Sequence, residues 1–369
     1  MEIKVNTQEF EKVLNQVVSI IPARSPMPIL EHFLLSIKDN MLSVYATDMQ
    51  IALQTSIPVI SAQETSIAVP ARLLHDTIKS LTDTDIKIST DKDQKIKVTT
   101  DTGVFKISYL EAADFPHLPA FQEIYNFTIS TERLKKAFDT ANSAVSKEEA
   151  RISMTGVLME LKTDELRFVA TDAHRLVKLS YLDIQNTIEK KIIIPGRAVQ
   201  VVSKMLTDSD VRVSFNDSQI RLEQGSIVFV SRLIEDQYPN YESVIPLEND
   251  NILETSKEEL SSVLKRISLF TSTQTKQVKF SITKDILSLS AENIDLGSEA
   301  NEKILCDYQG TPMDIAFNST YVSEVIRIIG TDRVIFKLNN PTRACLLEPN
   351  IQEENENLLV LIMPMRLNT

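Results

Sequence analysis

Asp172 and His174, two positions apart in ATDAHRL, are the residues whose types and spacing could do chemistry together. A carboxylate that orients an imidazole is half of a catalytic triad, and on a strand residues i and i+2 share a face. No GxSxG elbow accompanies them, and the matching stretch ATDMQI follows Asp48 with Met49 and Gln50 rather than a histidine. The four His and two Cys, with Cys306 and Cys345 far apart, offer no metal-ligand spacing and no disulfide framework. Seven glycines in 369 residues form neither GxGxxG nor GxxxxGK(S/T), which argues against nucleotide phosphates as ligands. The expectation is a non-enzyme without metal or cofactor, in which His174 is structural or recognises a partner.

A second available chemistry is phosphate contact. Counting from Pro70, Pro195 and Asn318, the positions two and nine residues on are Arg72 and Lys79, Arg197 and Lys204, Thr320 and Arg327. Positions four and eleven on are apolar throughout: Leu74 and Leu81, Val199 and Leu206, Val322 and Ile329. On helices these two sets lie about 200° apart, so five of six slots opposite the buried stripe are basic. A single solvated helix face is ordinarily charged. Three helices with the same slots filled, in a chain of net charge −12, point instead to a repeated basic lining. Arg24 and Lys136, on or near the first helices, extend it. No aromatics interleave, which favours backbone contact without base stacking.

The elements that position these residues recur. Asn6–Val18, Ser130–Val145 and Ser256–Ile267 carry helical apolar stripes, with capping-box patterns at Asn6/Glu9 and Ser256/Glu259. An alternating strand ending Ala46-Thr47-Asp48, Ala170-Thr171-Asp172 or Ala291-Glu292-Asn293 follows each. A second helix comes next, then further strands, with matching turns at ADFPHL and DQYPNY. The chain exceeds the roughly 250–300 residues at which one core stops growing. These observations predict an α+β protein of three tandem domains, 1–121, 126–247 and 251–369. Hydrophobic content of 43% and charged content of 24% are ordinary for globular protein. No run approaches the ~18 apolar residues of a membrane span and no apolar export segment opens the chain, so a cytoplasmic location is expected. The chain closes on VLIMPMRLNT, where Pro364 should end strand pairing and leave Met363 and Met365 as adaptable apolar side chains.

Together Arg24 with PIL from Pro28, ADFPHL, ATDAHRL, YPNYESVIP and the terminal IMPMRL resemble the bacterial beta sliding clamps, the processivity subunit of DNA polymerase III. The resemblance runs the length of the chain in register. It implies the DNA-clamp fold, closed as a ring by a head-to-tail homodimer around duplex DNA, with Arg24, Arg72, Lys79, Lys136, Arg197, Lys204 and Arg327 as DNA-binding candidates. It further implies a cleft for short linear motifs of DNA polymerase III subunits, the clamp loader, and other polymerases and repair proteins. Carried over by motif, that cleft comprises Met154, Thr171, His174, Arg175, Leu176, Pro239, Val244, Ile362, Met363, Pro364, Met365, Arg366 and Leu367. The implied dimer contact uses Phe105, Ile107, Leu269 and Phe270, although Phe105 and Phe270 fit core positions equally well. Ala173 stands where glycine is frequent in the family, and Ser243 where some members carry arginine. The rival readings are a scaffold that gathers protein partners without encircling DNA and, more remotely, a hydrolase built on Asp172 and His174.

Overall fold

The computed structural model describes residues 2–61, 63–117, 119–207 and 209–367; Leu118 of ADFPHL and the terminal Asn368 and Thr369 lie outside them. The first repeat runs β1 (Glu2–Asn6), α1 (Thr7–Val17), β2 (His32–Lys38), β3 (Met41–Thr47), β4 (Ile51–Pro58), β5 (Thr65–Pro70), α2 (Ala71–Lys79), β6 (Asp85–Thr90), β7 (Lys95–Thr99), β8 (Val104–Ser108) and a short β9 (Leu110–Glu111). The second has β10 (Tyr125–Ser130), α3 (Thr131–Asn142), β11 (Gly156–Lys162), β12 (Glu165–Thr171), β13 (Arg175–Tyr181), β14 (Lys190–Pro195), α4 (Gly196–Met205), β15 (Asp210–Phe215), β16 (Gln219–Gln224) and β17 (Ile227–Arg232). The third has β18 (Asn251–Ser256), α5 (Lys257–Ile267), β19 (Gln277–Ile282), β20 (Ile286–Asn293), β21 (Ser298–Gln309), β22 (Met313–Asn318), α6 (Ser319–Ile328), β23 (Arg333–Leu338), β24 (Cys345–Pro349) and β25 (Glu356–Ile362).

The first helix of each repeat starts on a side-chain cap. Asn6 Oδ1 accepts from the backbone N–H of Gln8 and Glu9, Ser130 Oγ from Arg133 and Ser256 Oγ from Glu259, satisfying donors that a helix start leaves free. Phe10, Leu14 and Val17 of α1 are fully buried, each contributing about 1.5–3 kcal/mol. The second helices are a little shorter than the periodicity predicts. Leu81, Leu206 and Ile329 fall just past their ends, yet Leu206 and Ile329 are buried as expected.

The chain gathers into two compact units, Met1–Lys135 with Arg197–Leu233, and Lys136–Gly196 with Ile234–Thr369. Both cut through the second repeat, because sheets continue from one repeat into the next. The first unit holds a four-stranded sheet, β1-β6-β7-β8, and a nine-stranded sheet, β10-β15-β16-β17-β4-β3-β2-β5-β9. The second holds twelve strands in the order β14-β11-β12-β13-β25-β24-β23-β18-β21-β20-β19-β22. All named pairings are antiparallel, and β17 on β4 and β25 on β13 are the seams between successive repeats.

The shared signature ends the strand, as expected, and builds the turn that follows it. In the first copy Thr47 Oγ1 donates to the Ile51 carbonyl, while Asp48 Oδ1 accepts from the N–H groups of Gln50 and Ile51. In the second, Thr171 Oγ1 donates to the Arg175 carbonyl and Asp172 Oδ1 accepts from His174 and Arg175. The residue after each Asp takes a left-handed backbone, Met49 at φ +74° and Ala173 at φ +72°, a region costly to any side chain. In the third copy Asn293 Oδ1 accepts from Leu296, and Gly297 supplies the left-handed position at φ +58°. Replacing Ala173 by Gly should raise unfolding free energy by roughly 0.5 kcal/mol, since relief of strain exceeds the added entropy of the unfolded chain. A higher denaturant midpoint at unchanged m-value is the expected reading.

Candidate partner-binding and nucleic-acid sites

The turn Asp172–His174 and the end of the chain meet in the second unit. β25 pairs with β13 up to Arg175 opposite Ile362. The Met363 N–H donates to the His174 carbonyl at 2.8 Å, pairing then lapses at Pro364, and the Met365 N–H resumes it on the Ala316 carbonyl at 2.7 Å. The tail is thus stitched to the edge strand β22, and Met363 keeps 40% of its surface in solvent. Pro364, Met365 and Leu367 are half-buried and Arg366 is exposed.

His174 is not set up as a catalytic base. Asp172 and His174 lie within the turn, so the shared strand face expected from the sequence does not exist. One Asp172 oxygen holds the turn backbone; the other accepts from Arg175 Nε at 3.1 Å. The imidazole stacks instead on the Tyr321 ring, with 5.9 Å between centroids and 21° between planes. Arg175 is itself buried, bonded also to Glu324 and lying 4.7 Å over the same Tyr321 ring. Burial is the main cause raising the Tyr321 phenol above its ordinary pKa.

Several residues expected to line a cleft lie beneath the surface. Thr171, Arg175, Leu176 and Ile362 are all buried: successive strand residues face opposite sides, and here both sides are covered. They support the surface that His174, Met363 and Tyr321 present. Leu176 belongs to an apolar floor with Leu158, Val169, Ile193, Leu346 and Leu361, against which Tyr238, Tyr241 and Ile245 pack. Tyr238 Oη accepts from the Thr171 N–H at 3.1 Å, and burial pushes its phenol pKa up. Tyr241 Oη donates to buried Glu160 at 2.5 Å and accepts from Arg167, which also bonds Glu242 at 2.6 Å. This network fastens YPNYES to β11 and β12. Met154 and Pro239 are half-buried, and Val244 is 55% exposed. Tyr321, Glu324, Tyr241 and Leu346 escaped the sequence reading; the repeat count alone could have flagged Tyr321, one residue past the basic slot of its helix.

The basic candidates divide by whether their charge is already met. In the first unit Arg24, Arg72, Lys79 and Lys204 are exposed and have no ion-pair partner among the described residues. Lys204 shares a groove of about 530 Å³ between α1 and α4 with Lys12, Gln8, Asn15 and Gln16. Arg197 is instead committed to Asp48 at 2.7 Å. In the second unit Arg327 is exposed and unpaired among the described residues, whereas Lys136 lies between Glu353 at 2.5 Å and Glu356 at 2.7 Å. Burial acts to lower the Lys136 pKa, but the two carboxylate hydrogen bonds outweigh it and the net shift is upward.

Models of the DNA polymerase III beta subunit match in chain order: the N-terminal domain over residues 1–119, the central domain over 128–240 and the C-terminal domain over 242–366. The chain belongs to the bacterial beta sliding clamp family. The beta sliding clamps of Pseudomonas aeruginosa and Escherichia coli K12 are each 28% identical to it, over 375 and 371 aligned residues, with both chains fully covered. The sliding clamp of Bartonella birtlesii, solved bound to griselimycin, superposes with a TM-score of 0.94 at 29% identity over the full length of both chains. The fold is therefore the DNA-clamp fold in three tandem α+β copies.

The residues expected at a subunit contact differ in exposure. Phe105 is 41% exposed on β8, the edge of its sheet, while Ile107 is buried. Leu269 is 79% exposed and Phe270 half-buried in the 3-10 turn after α5. Within the second unit, Arg175→Met should destabilise by about 3 kcal/mol, because Asp172 and Glu324 lose their shared counter-charge. Denaturant unfolding of the variant against the parent reads this directly.

Proposed function

We propose that the chain works as a DNA sliding clamp: a ring of two copies that encircles duplex DNA and tethers a polymerase and other replication and repair proteins through short peptide motifs. Family membership supports the clamp role, and the repeat supports the ring. The observation that carries the ring is a match of open sheet edges. At the internal seams, Phe229 on β17 lies opposite Leu53 and Val360 on β25 opposite Val177, all fully buried. The same strand positions recur once more without a partner strand among the described residues. Phe105 faces Val98 as Phe229 faces Leu222, and Ala300 faces Ala291 as Val177 faces Ala170.

A third seam of the same kind joins β8 of one copy to β21 of another, Phe105 against Ala300 of the partner subunit. The same antiparallel register sets Lys106 beside Glu299 of the partner subunit, an opposite-charge pair of the sort that stabilises adjacent strands. Such head-to-tail contact is heterologous and closes when the rotation permits. The domain limits that fit this scheme are 1–121, 126–247 and 251–369.

Inside the ring, Arg24, Arg72, Lys79, Lys204 and Arg327 attract phosphates without reading bases, so the ring can slide. Arg197 and Lys136 are less available, each already paired. Outside, the surface formed by His174, Tyr321, Pro239, Val244 and the tail from Met363 receives peptide motifs, its methionines adapting to different sequences.

The protein should be retained on circular duplex DNA and released on linearisation. Equal retention on both forms would favour a scaffold that does not encircle DNA. Lys79→Glu and Lys204→Glu should each make the log–log salt dependence of DNA binding shallower by about 1, with the dimer intact. Deleting residues from Met363 onward should abolish polymerase-peptide binding in fluorescence anisotropy while leaving retention on circles unchanged. Phe105→Asp should convert the dimer to a folded monomer in sedimentation velocity.

A further inference from the structure

At each internal seam the turn between a repeat's third and fourth strands touches the next repeat's second helix. Asp48 reaches Arg197 on α4 at 2.7 Å. His174 stacks on Tyr321 and Arg175 bonds Glu324, both on α6. The third copy of this turn differs from the other two. Between matching alanines the hairpin is two residues longer, since Ala46 pairs Leu53 and Ala170 pairs Val177, but Ala291 pairs Ala300.

The extra length forms a 3-10 turn, Ile294–Leu296, with Ile294 83% and Leu296 75% exposed. Hydrogen bonds tie this turn to its surroundings. Asn293 is buried, accepts from the Leu296 N–H and donates to the Thr271 carbonyl, and Gly297 takes the left-handed position that closes it. Two large apolar side chains therefore stand in water on an anchored turn, which is the state of a contact built to be covered. The helix position equivalent to Tyr321 is Leu73, three residues past Pro70 as Tyr321 is past Asn318. Leu73 is itself 55% exposed on α2, where its counterpart Tyr321 is half-buried beneath His174.

We infer that Ile294 and Leu296 latch onto Leu73 of the partner subunit, an apolar contact that sets how long the closed ring persists. The inference rests on the ring proposed above. Its occupant is a second copy because the turn lies at the start of β21, the strand whose free edge matches the internal seams, and because both internal turns contact the first turn of this helix, Asp48 through Arg197 and His174 through Tyr321, the counterpart of Leu73.

The test is subunit exchange, read as energy transfer after mixing donor- and acceptor-labelled full-length protein. Ile294→Ser with Leu296→Ser should speed exchange by about tenfold or more, and Leu73→Ser should do likewise. The three substitutions together should add little beyond either set, as groups sharing one contact do. All three side chains are already solvent-exposed in the single chain, so thermal unfolding of monomer made with Phe105→Asp should not move. A stable dimer whose exchange rate is unchanged by either variant, or whose effects simply add, overturns the latch while leaving the ring. A parent protein that sediments as a monomer at every concentration overturns the ring itself.

Discussion

An antiparallel sheet that stops leaves a row of unpaired N–H and C=O groups, and the arrangement of this chain follows from where those edges are closed. Each repeat makes two sheets, and neither is finished within the repeat. β17 is closed by β4 and β25 by β13, so sheets run through the seams and the compact units do not coincide with the repeats. Among the described strands, β8 and the first part of β21 are the edges that match those seams and have no strand against them. A fold that propagates by edge pairing must either cap its ends or close on itself, and closure through a second copy removes both edges at once.

The hairpin turn beside each seam shows how one backbone device carries different chemistry. Thr and Asp side chains satisfy the turn backbone in the first two copies, and Asn does so in the third. With the backbone settled, the remaining side chains are free to vary. The first copy offers a carboxylate to Arg197, the second an imidazole to Tyr321 beside a flexible methionine tail, and the third two apolar side chains. The ion pair at the first seam withdraws Arg197 from the basic set. The aromatic stack at the second lays the His174 ring against Tyr321 and away from the Asp172 carboxylate, which is taken up by the turn and Arg175.

Much of this was legible in the residues. Caps at Asn6 and Ser256, the near-constant spacing of the copies, the exposed basic slots on the second helices and the break in pairing at Pro364 all follow from local rules of hydrogen bonding and side-chain direction. The family's motifs added the expectation of a cleft and a subunit contact, which no local rule could have supplied. The strand premise for Asp172 and His174 failed because a Thr-Asp pair stabilises a turn as readily as it ends a strand.

By itself the sequence determined the three-fold repeat, the α+β class and the identity of the helices whose outer slots are basic, since these depend on periodicity along one chain. Only the tertiary structure decided which of those charges are free. Whether Lys136 meets Glu353 and Glu356, Arg197 meets Asp48, or Arg175 sinks between Asp172 and Glu324 depends on residues brought together from distant parts of the chain. The availability of a charge is a property of its neighbours in space, and a linear pattern carries the charge without carrying the neighbours.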